Sequence, residues 1–242
     1  MLKVDLTENY AGVTIYGDYN DLDVLYDSIN FLIRGDSENV GRYTMQNHIY
    51  GFLYDIRHAY QGQRDVELVD NSLDDNTREC FNLRKNDVTN KNVYFCFNYV
   101  LPDLLLDMVL IKYFISNVDK NERDIFNPYI NYVNFFYSLV LDSIFKILTP
   151  IKFNKIKKSL LNSIVSESVF YPQWFEMISL DYINLAKENR KKDFMKMADS
   201  IINYYEYKDY TEMKLDMEKI CKEKKCTLDD LHYDNYPEEI KW

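Results

Sequence analysis

An α+β fold is predicted by the 242-residue sequence, and two patterns predict it. Short stretches that alternate polar and apolar residues lie within the first hundred residues, which is typical of strands. Beyond about residue 100, apolar residues recur every three or four positions, which is typical of helices packed on a core. Because strands and helices do not alternate regularly along the chain, the pattern favours a small antiparallel sheet over a parallel one.

Four stretches are predicted to form that sheet. The first two are joined by a short turn and predict a hairpin, and the third, DVELV, alternates strictly enough to predict a half-buried strand. The fourth, NVYFCFN, is apolar and aromatic, as strands often are. The four predicted strands are residues 2–7, 12–17, 64–69 and 93–99.

Two helices are predicted between the strands. The first carries an apolar stripe from Leu22 to Ile33, and residues 36–43 are expected to form a loop after it. The second organises the N-terminal half, because its stripe runs from Met45 to Tyr60 and Gly62 can adopt the left-handed conformation that ends a helix.

The rest of the chain is predicted to be helical. We expect an α+β region, residues 1–118, and an α-helical region, residues 119–242, packed together as one unit. In the first of these helices, Asp103 and Asp107 lie one turn apart and are expected at a solvated edge. The predicted helices are residues 102–115, 128–148, 153–169, 172–189, 192–206 and 210–224.

Charge is distributed unevenly. The formal net charge of −10 resides almost wholly in residues 1–80, which carry −9, whereas residues 81–242 carry −1. An acidic body repels phosphate backbones, so nucleic acid is not expected as a partner of that part, and a basic protein suits it better.

The sequence favours a soluble cytoplasmic protein without a cofactor. No run approaches the roughly 20 apolar residues that a membrane span needs, so no membrane partner is expected. The N-terminus lacks the apolar core of a signal peptide. The four scattered cysteines match no zinc-ligand spacing and are expected to be free thiols.

Four aspartates near the first predicted helix form a candidate acidic surface: Asp18, Asp21, Asp23 and Asp27. A calcium site would need ligands at alternate positions, a glycine at the sixth and a glutamate at the twelfth, and this spacing does not provide them. Helix capping explains the residues better, with Asp18 or Asn20 as the cap and acidic side chains in the first turn.

The densest polar cluster comprises Tyr54, Asp55, Arg57, His58 and Arg64. Asp55 and His58 are three residues apart on a helix, so the carboxylate could orient the imidazole within a small polar site. A structural interpretation competes with this one, because cations in the last helical turn interact favourably with the helix dipole. The residues alone leave both interpretations open.

Lysines cluster near the start of the helix predicted at 153–169: Lys152, Lys155, Lys157 and Lys158. Cations at a helix start oppose the dipole, so helix stability alone does not favour them there. They are interpreted either as a solvated face or as a patch that faces a partner.

The stretches GVTIYGDYNDLDVLYDSI, YDIRHAYQG and VYFCFNYVLPDLL resemble an uncharacterised protein family of low-GC Gram-positive bacteria, over roughly residues 1–115. Its members carry a similar GV-x-I-x-GDY-x-DL-x-x-LYD-x-I and a similar YD-x-RHA-x-x-G. The resemblance implies a bacterial, cytoplasmic setting and no particular activity. The matching positions are Gly17, Asp18, Tyr19, Asp21, Leu22, Tyr26, Asp27, Tyr54, Asp55, Arg57, His58 and Gly62.

These observations favour a non-catalytic protein, such as an immunity, inhibitor or phage-conflict component, that binds a protein partner through an acidic, tyrosine-rich surface. The alternative is an enzyme that acts on a phosphorylated or nucleotide substrate through the polar cluster. No glycine-rich phosphate loop occurs, and only His48, His58 and His232 exist for acid–base or metal chemistry. A third hypothesis is a helical scaffold or homo-oligomer without a small-molecule site.

Overall fold

A computed structural model describes residues 1–35, 39–84, 88–165, 170–231, 237 and 239–242. Its N-terminal half contains a four-stranded sheet in the order β1-β2-β4-β3, and each neighbouring pair is antiparallel. The expected α+β fold with a small antiparallel sheet is therefore confirmed. The strands are β1 (Lys3–Leu6), β2 (Gly12–Gly17), β3 (Asp65–Asp70) and β4 (Lys91–Val100).

The longest strand, β4, connects two parts of the sheet. Its residues 95–100 pair with β2, and its residues 91–96 pair with β3. The strand β3 and the first half of β4 thus form a two-stranded extension beyond the β1–β2 hairpin, which we call the arm. Five of the six β3 residues are exposed, so the expectation of a half-buried strand was wrong. Alternation alone does not report whether anything packs against a strand.

Nine α-helices lie in the described part of the chain. A helix covers residues 40–43, which were predicted to be loop, because Asn39 caps it by accepting a hydrogen bond from the Arg42 amide; residues 36–38 of that loop lie outside the described residues. The helices are α1 (Tyr19–Ile33), α2 (Val40–His58), α3 (Asp75–Cys80), α4 (Leu101–Asn117), α5 (Pro128–Phe145), α6 (Pro150–Asn162), α7 (Tyr171–Ile183), α8 (Lys187–Ile202) and α9 (Lys208–Lys224).

Helix α2 ends in a single π-helical turn, Ala59–Gln63. Gly62 has a φ of +75°, which is the left-handed conformation predicted for it. The chain then reverses direction into β3, so the end of α2 and the base of the arm are neighbours.

Helix α4 lies at the centre of the molecule. Apolar side chains on all its sides are buried, among them Leu104, Leu106 and Ile111. It packs against α1 and α2, against the sheet, and against α7 and α8. Helix α5 packs on α1 and β1, so one apolar core extends from the sheet into the C-terminal helices. The division at residue 118 stays a prediction.

Candidate functional site

The predicted polar cluster lies on the outer face of α2 and the turn that follows it. Arg64 donates a hydrogen bond to the Asp55 carboxylate at 2.7 Å, and His58 Nδ1 donates to the carbonyl of Tyr54 at 2.7 Å. The idea that Asp55 orients His58 was therefore wrong. After the π turn the chain folds back and brings Arg64 to the carboxylate instead.

Three side chains of the cluster stack along the helix. The rings of Tyr54 and His58 are 3.7 Å apart, and the Arg57 guanidinium lies 5.8 Å from the Tyr54 ring centre. Positions three and four apart share one helix face, which explains the stack. Tyr54 is 51% exposed, so this aromatic and cationic surface faces solvent.

The acidic residues of α1 include its cap. Asp18 accepts a hydrogen bond from the Asp21 amide and Asp21 from the Asp18 amide, which is a reciprocal capping box. The capping interpretation is confirmed for these two residues. Asp21 also pairs with the N-terminal amine at 2.8 Å. Asp23 is partly buried and Asp27 is exposed further along the helix. The described residues contain no group of three or more side chains placed to hold a metal ion.

The fold brings together the two chain segments that carry these predicted sites. The rings of Tyr19 and Tyr26 on α1 lie 5.3 and 6.2 Å from the ring of Tyr60 in the π turn, in edge-to-face geometry. Burial and the nearby Asp23 carboxylate raise the pKa of Tyr60, so its hydroxyl stays protonated. We call the combined region the tyrosine surface, defined by Tyr19, Tyr26, Tyr54, Tyr60, Asp23 and Arg57.

A second polar group, overlooked by the sequence analysis, lies beneath α2. The Tyr99 hydroxyl of β4 donates to Asp107 Oδ2 of α4 at 2.8 Å. His48 Nε2 of α2 lies 3.6 Å from Asp107 Oδ1, slightly beyond hydrogen-bond range. Asp107 is only 1% exposed, so its expected position at a solvated edge was wrong. Because α4 is apolar on all sides, an aspartate within it had to be buried, and that signal could have found it.

Burial favours the neutral forms of these groups. It raises the pKa of Asp107 well above its ordinary value and lowers the pKa of His48 to about 4. It also raises the pKa of Asp103 to about 7, although the Ser179 hydroxyl donates to that carboxylate at 3.1 Å. His48 Nε2 and Asp107 Oδ1 have no hydrogen-bond partner among the described residues. A proton held between them would suit both atoms, because a protonated carboxyl donates and a neutral imidazole nitrogen accepts.

A cavity of about 770 Å³ adjoins His48. The His48 side chain is 25% exposed while its Nε2 is enclosed, so the ring separates the cavity from Asp107. The arrangement is a buried polar group, with one hydrogen bond from Tyr99 to Asp107, behind a mixed apolar and polar wall. Residues on the wall include Asn47, His48, Gln173, Glu176, Leu228 and Leu231. His232 lies outside the described residues.

Comparison with known proteins places the chain in a family. The family model described as Domain of unknown function (DUF6904) matches residues 2–242. The chain belongs to this family. The match extends through the C-terminal helices, well beyond the roughly 115 residues of the resemblance noted above. No curated protein and no solved structure matches the chain. Among the described residues, every helix is too short or too polar to cross a membrane.

Proposed function

We propose that this chain is a non-catalytic protein of the bacterial cytoplasm, in the low-GC Gram-positive group, and that it binds a basic protein partner through the tyrosine surface. One observation carries the proposal: the two segments with the strongest sequence signals, around residues 18–27 and 54–64, meet through the contacts of Tyr19 and Tyr26 with Tyr60.

The composition of the tyrosine surface suits protein recognition. Tyrosine and arginine are enriched at protein interfaces, because they offer large contact area with a polar tip. Tyr19 and Tyr54 are each 51% exposed. Asp23 and Asp27 add negative charge, which favours a partner of positive charge and speeds its association.

The arm extends the same interface. Of the described strands only β4 pairs with β3, so the other edge of β3 presents backbone donors and acceptors to an added strand. Leu68 is 58% exposed and Val66 is 53% exposed. Asp65 and Asp70 would face each other if two copies of β3 paired antiparallel, and like charges directly opposite are unfavourable. A basic strand from another protein fits this edge better than a second copy does.

The predicted polar cluster lacks the carboxylate–imidazole pair on which the enzyme alternative rested. The Asp55 carboxylate is engaged by Arg64, and the His58 imidazole is bonded to a backbone carbonyl. General acid–base catalysis needs a base within hydrogen-bond reach of the group it activates. Here the Asp55 carboxylate is engaged by Arg64 and does not orient the imidazole.

Photo-crosslinking tests the proposal. A benzophenone amino acid is introduced at Tyr54, at Leu68, or at Tyr205, which is exposed on another part of the chain. In source cells, Tyr54 and Leu68 should crosslink to the same basic protein, and Tyr205 should not. Identical adducts from all three positions, or no adduct at Tyr54 and Leu68, would contradict the interface.

A further inference from the structure

A second cavity concentrates positive charge on this acidic molecule. It has a volume of about 450 Å³ and opens between the β1–β2 turn, the start of α6 and the start of α8. Glu188 is the only acidic residue on its wall among the described residues. We call it the lysine cavity, defined by Tyr10, Thr149, Lys152, Lys187, Lys191 and Lys192.

One aromatic ring positions two of the lysines. The Nζ atoms of Lys187 and Lys191 lie 5.8 and 5.9 Å from the ring centre of Tyr10. Lys187 also approaches Glu8 Oε1 at 3.7 Å. Cation–π contacts hold ammonium groups near an aromatic face. Lysines from one helix are thus held at the side of the cavity where the β1–β2 turn lies.

Two helix starts add to the positive potential. The side chain of Thr149 caps α6 by accepting from the Lys152 amide at 3.4 Å, whereas Ala186 at the start of α8 has no side chain that could cap it. The amides of Lys187 and Glu188 therefore have no acceptor within the helix. Lysines at helix starts oppose the dipole, and lysines close together repel one another. Helix stability does not explain Lys152 or Lys187, whereas Lys191 and Lys192 lie three and four residues after Glu188, at the spacing of favourable helix pairs.

A bound anion would offset the repulsion between the lysines and the unfavourable interaction of cations with the helix starts. Phosphate accepts hydrogen bonds from ammonium groups and from the free amides of a helix start. The three parts of the wall, Tyr10, residues 147–152 and residues 187–192, are distant in sequence and meet only in the folded chain. The cavity is large enough for a phosphate group together with a small organic part.

We propose that the lysine cavity binds the phosphate group of a small phosphorylated ligand. The site shares no residue with the tyrosine surface and does not depend on it. Only one of the four clustered lysines noted in the sequence belongs to this site. Lys152 lines the cavity, whereas Lys155, Lys157 and Lys158 are exposed elsewhere along α6.

Calorimetric titration of the full chain with inorganic pyrophosphate tests the proposal. The wild type should show saturable one-site binding that weakens as salt rises, because exposed charges are screened. The double variant Lys152→Glu/Lys191→Glu should bind at least ~10-fold more weakly, since each replaced ammonium removes a charge-assisted hydrogen bond.

The matched control is Lys157→Glu/Lys158→Glu, which makes the same change of net charge on exposed positions of α6. It should keep wild-type affinity, and thermal melts of both variants should show that each folds. Equal loss in the two double variants, or no saturable heat in the wild type, would overturn the proposal. A short single-stranded oligonucleotide is the second probe. If it binds more tightly than pyrophosphate, and if Lys152→Glu/Lys191→Glu loses that binding, the cavity is a nucleic-acid site and the proposal is overturned.

Discussion

Two histidines on one helix have opposite surroundings. His48, on the inner face of α2, lies beside the buried Asp107 and in edge contact with Phe175, with ring centres 5.3 Å apart. His58 lies ten residues further, on the outer face, where it stacks on Tyr54 and bonds to a backbone carbonyl. Burial alone moves the pKa of His48 to about 4. The same residue type therefore belongs to a core network at one position and to a solvent-facing surface at the other.

The largest effect is expected where the core network is broken. Asp107→Ala removes the acceptor of the buried Tyr99 hydroxyl and leaves a small cavity, so it should lower the free energy of unfolding by about 3 kcal/mol. Chemical denaturation measures this loss. Asp27→Ala, on the exposed face of α1, is the control and should change stability by less than about 0.5 kcal/mol. Equal losses would mean that Asp107 does not act as a buried partner.

The pH dependence of stability should follow Asp103. Its carboxyl titrates near its ordinary pKa of 3.8 when unfolded and at about 7 when folded. The stability it contributes is complete below pH 3.8 and is lost as pH rises to about 7. Asp103→Asn removes this loss, so its stability relative to wild type should rise across that window. The full pKa difference corresponds to ~4 kcal/mol, and the partial exposure of Asp103 reduces this to an expected rise on the order of 2 kcal/mol.

Denaturation of both proteins from pH 4 to pH 8 measures that difference. His48 has the opposite effect, because its lowered pKa costs stability as pH falls from 6.5 to about 4. Taking the difference between variant and wild type cancels the His48 contribution. A relative stability of Asp103→Asn that stays flat with pH would show that Asp103 ionises normally in the fold.

The two histidines themselves give the direct comparison. His48→Ala should lower the free energy of unfolding by about 1–2 kcal/mol, because it deprives Asp107 and Phe175 of a buried neighbour. His58→Ala should lower it by less than about 0.5 kcal/mol, since the side chain lies on the surface. Parallel thermal melts of the two variants test this order. A larger loss of stability for His58→Ala than for His48→Ala would mean that the outer face of α2, and not the inner face, belongs to the core.

The smallest effect is expected for the ion pair of Asp55 with Arg64. Both side chains are about one third exposed, so solvent and salt screen the attraction. Arg64→Ala should cost at most about 1 kcal/mol, and the cost should shrink at high salt. A larger, salt-independent loss would mean that the pair holds the arm against α2.

Local signals in the sequence predicted much of this molecule. The alternation at residues 12–17 and the apolar stripe of α1 located their elements within a few residues, since each pattern depends on the geometry of a single element. The Asp18 cap and the left-handed Gly62 were equally readable, because a cap and a turn involve neighbours in sequence. Pairing of Asp55 with His58 failed as a prediction, because Arg64 comes closer once the chain reverses.

The sequence by itself determined the fold class, the element order, the uneven charge and the positions of the tyrosines and acidic residues. Only the tertiary structure decided which of them meet. Tyr60 contacts Tyr19, Asp107 lies beside His48, and Lys152 lines the same cavity as the lysines of α8, although these residues are far apart in the sequence. Periodicity reports which face of an element is apolar, but the neighbour of that face depends on how the whole core packs. For that reason the sequence identified the candidate residues, and the packing around α4 grouped them into sites.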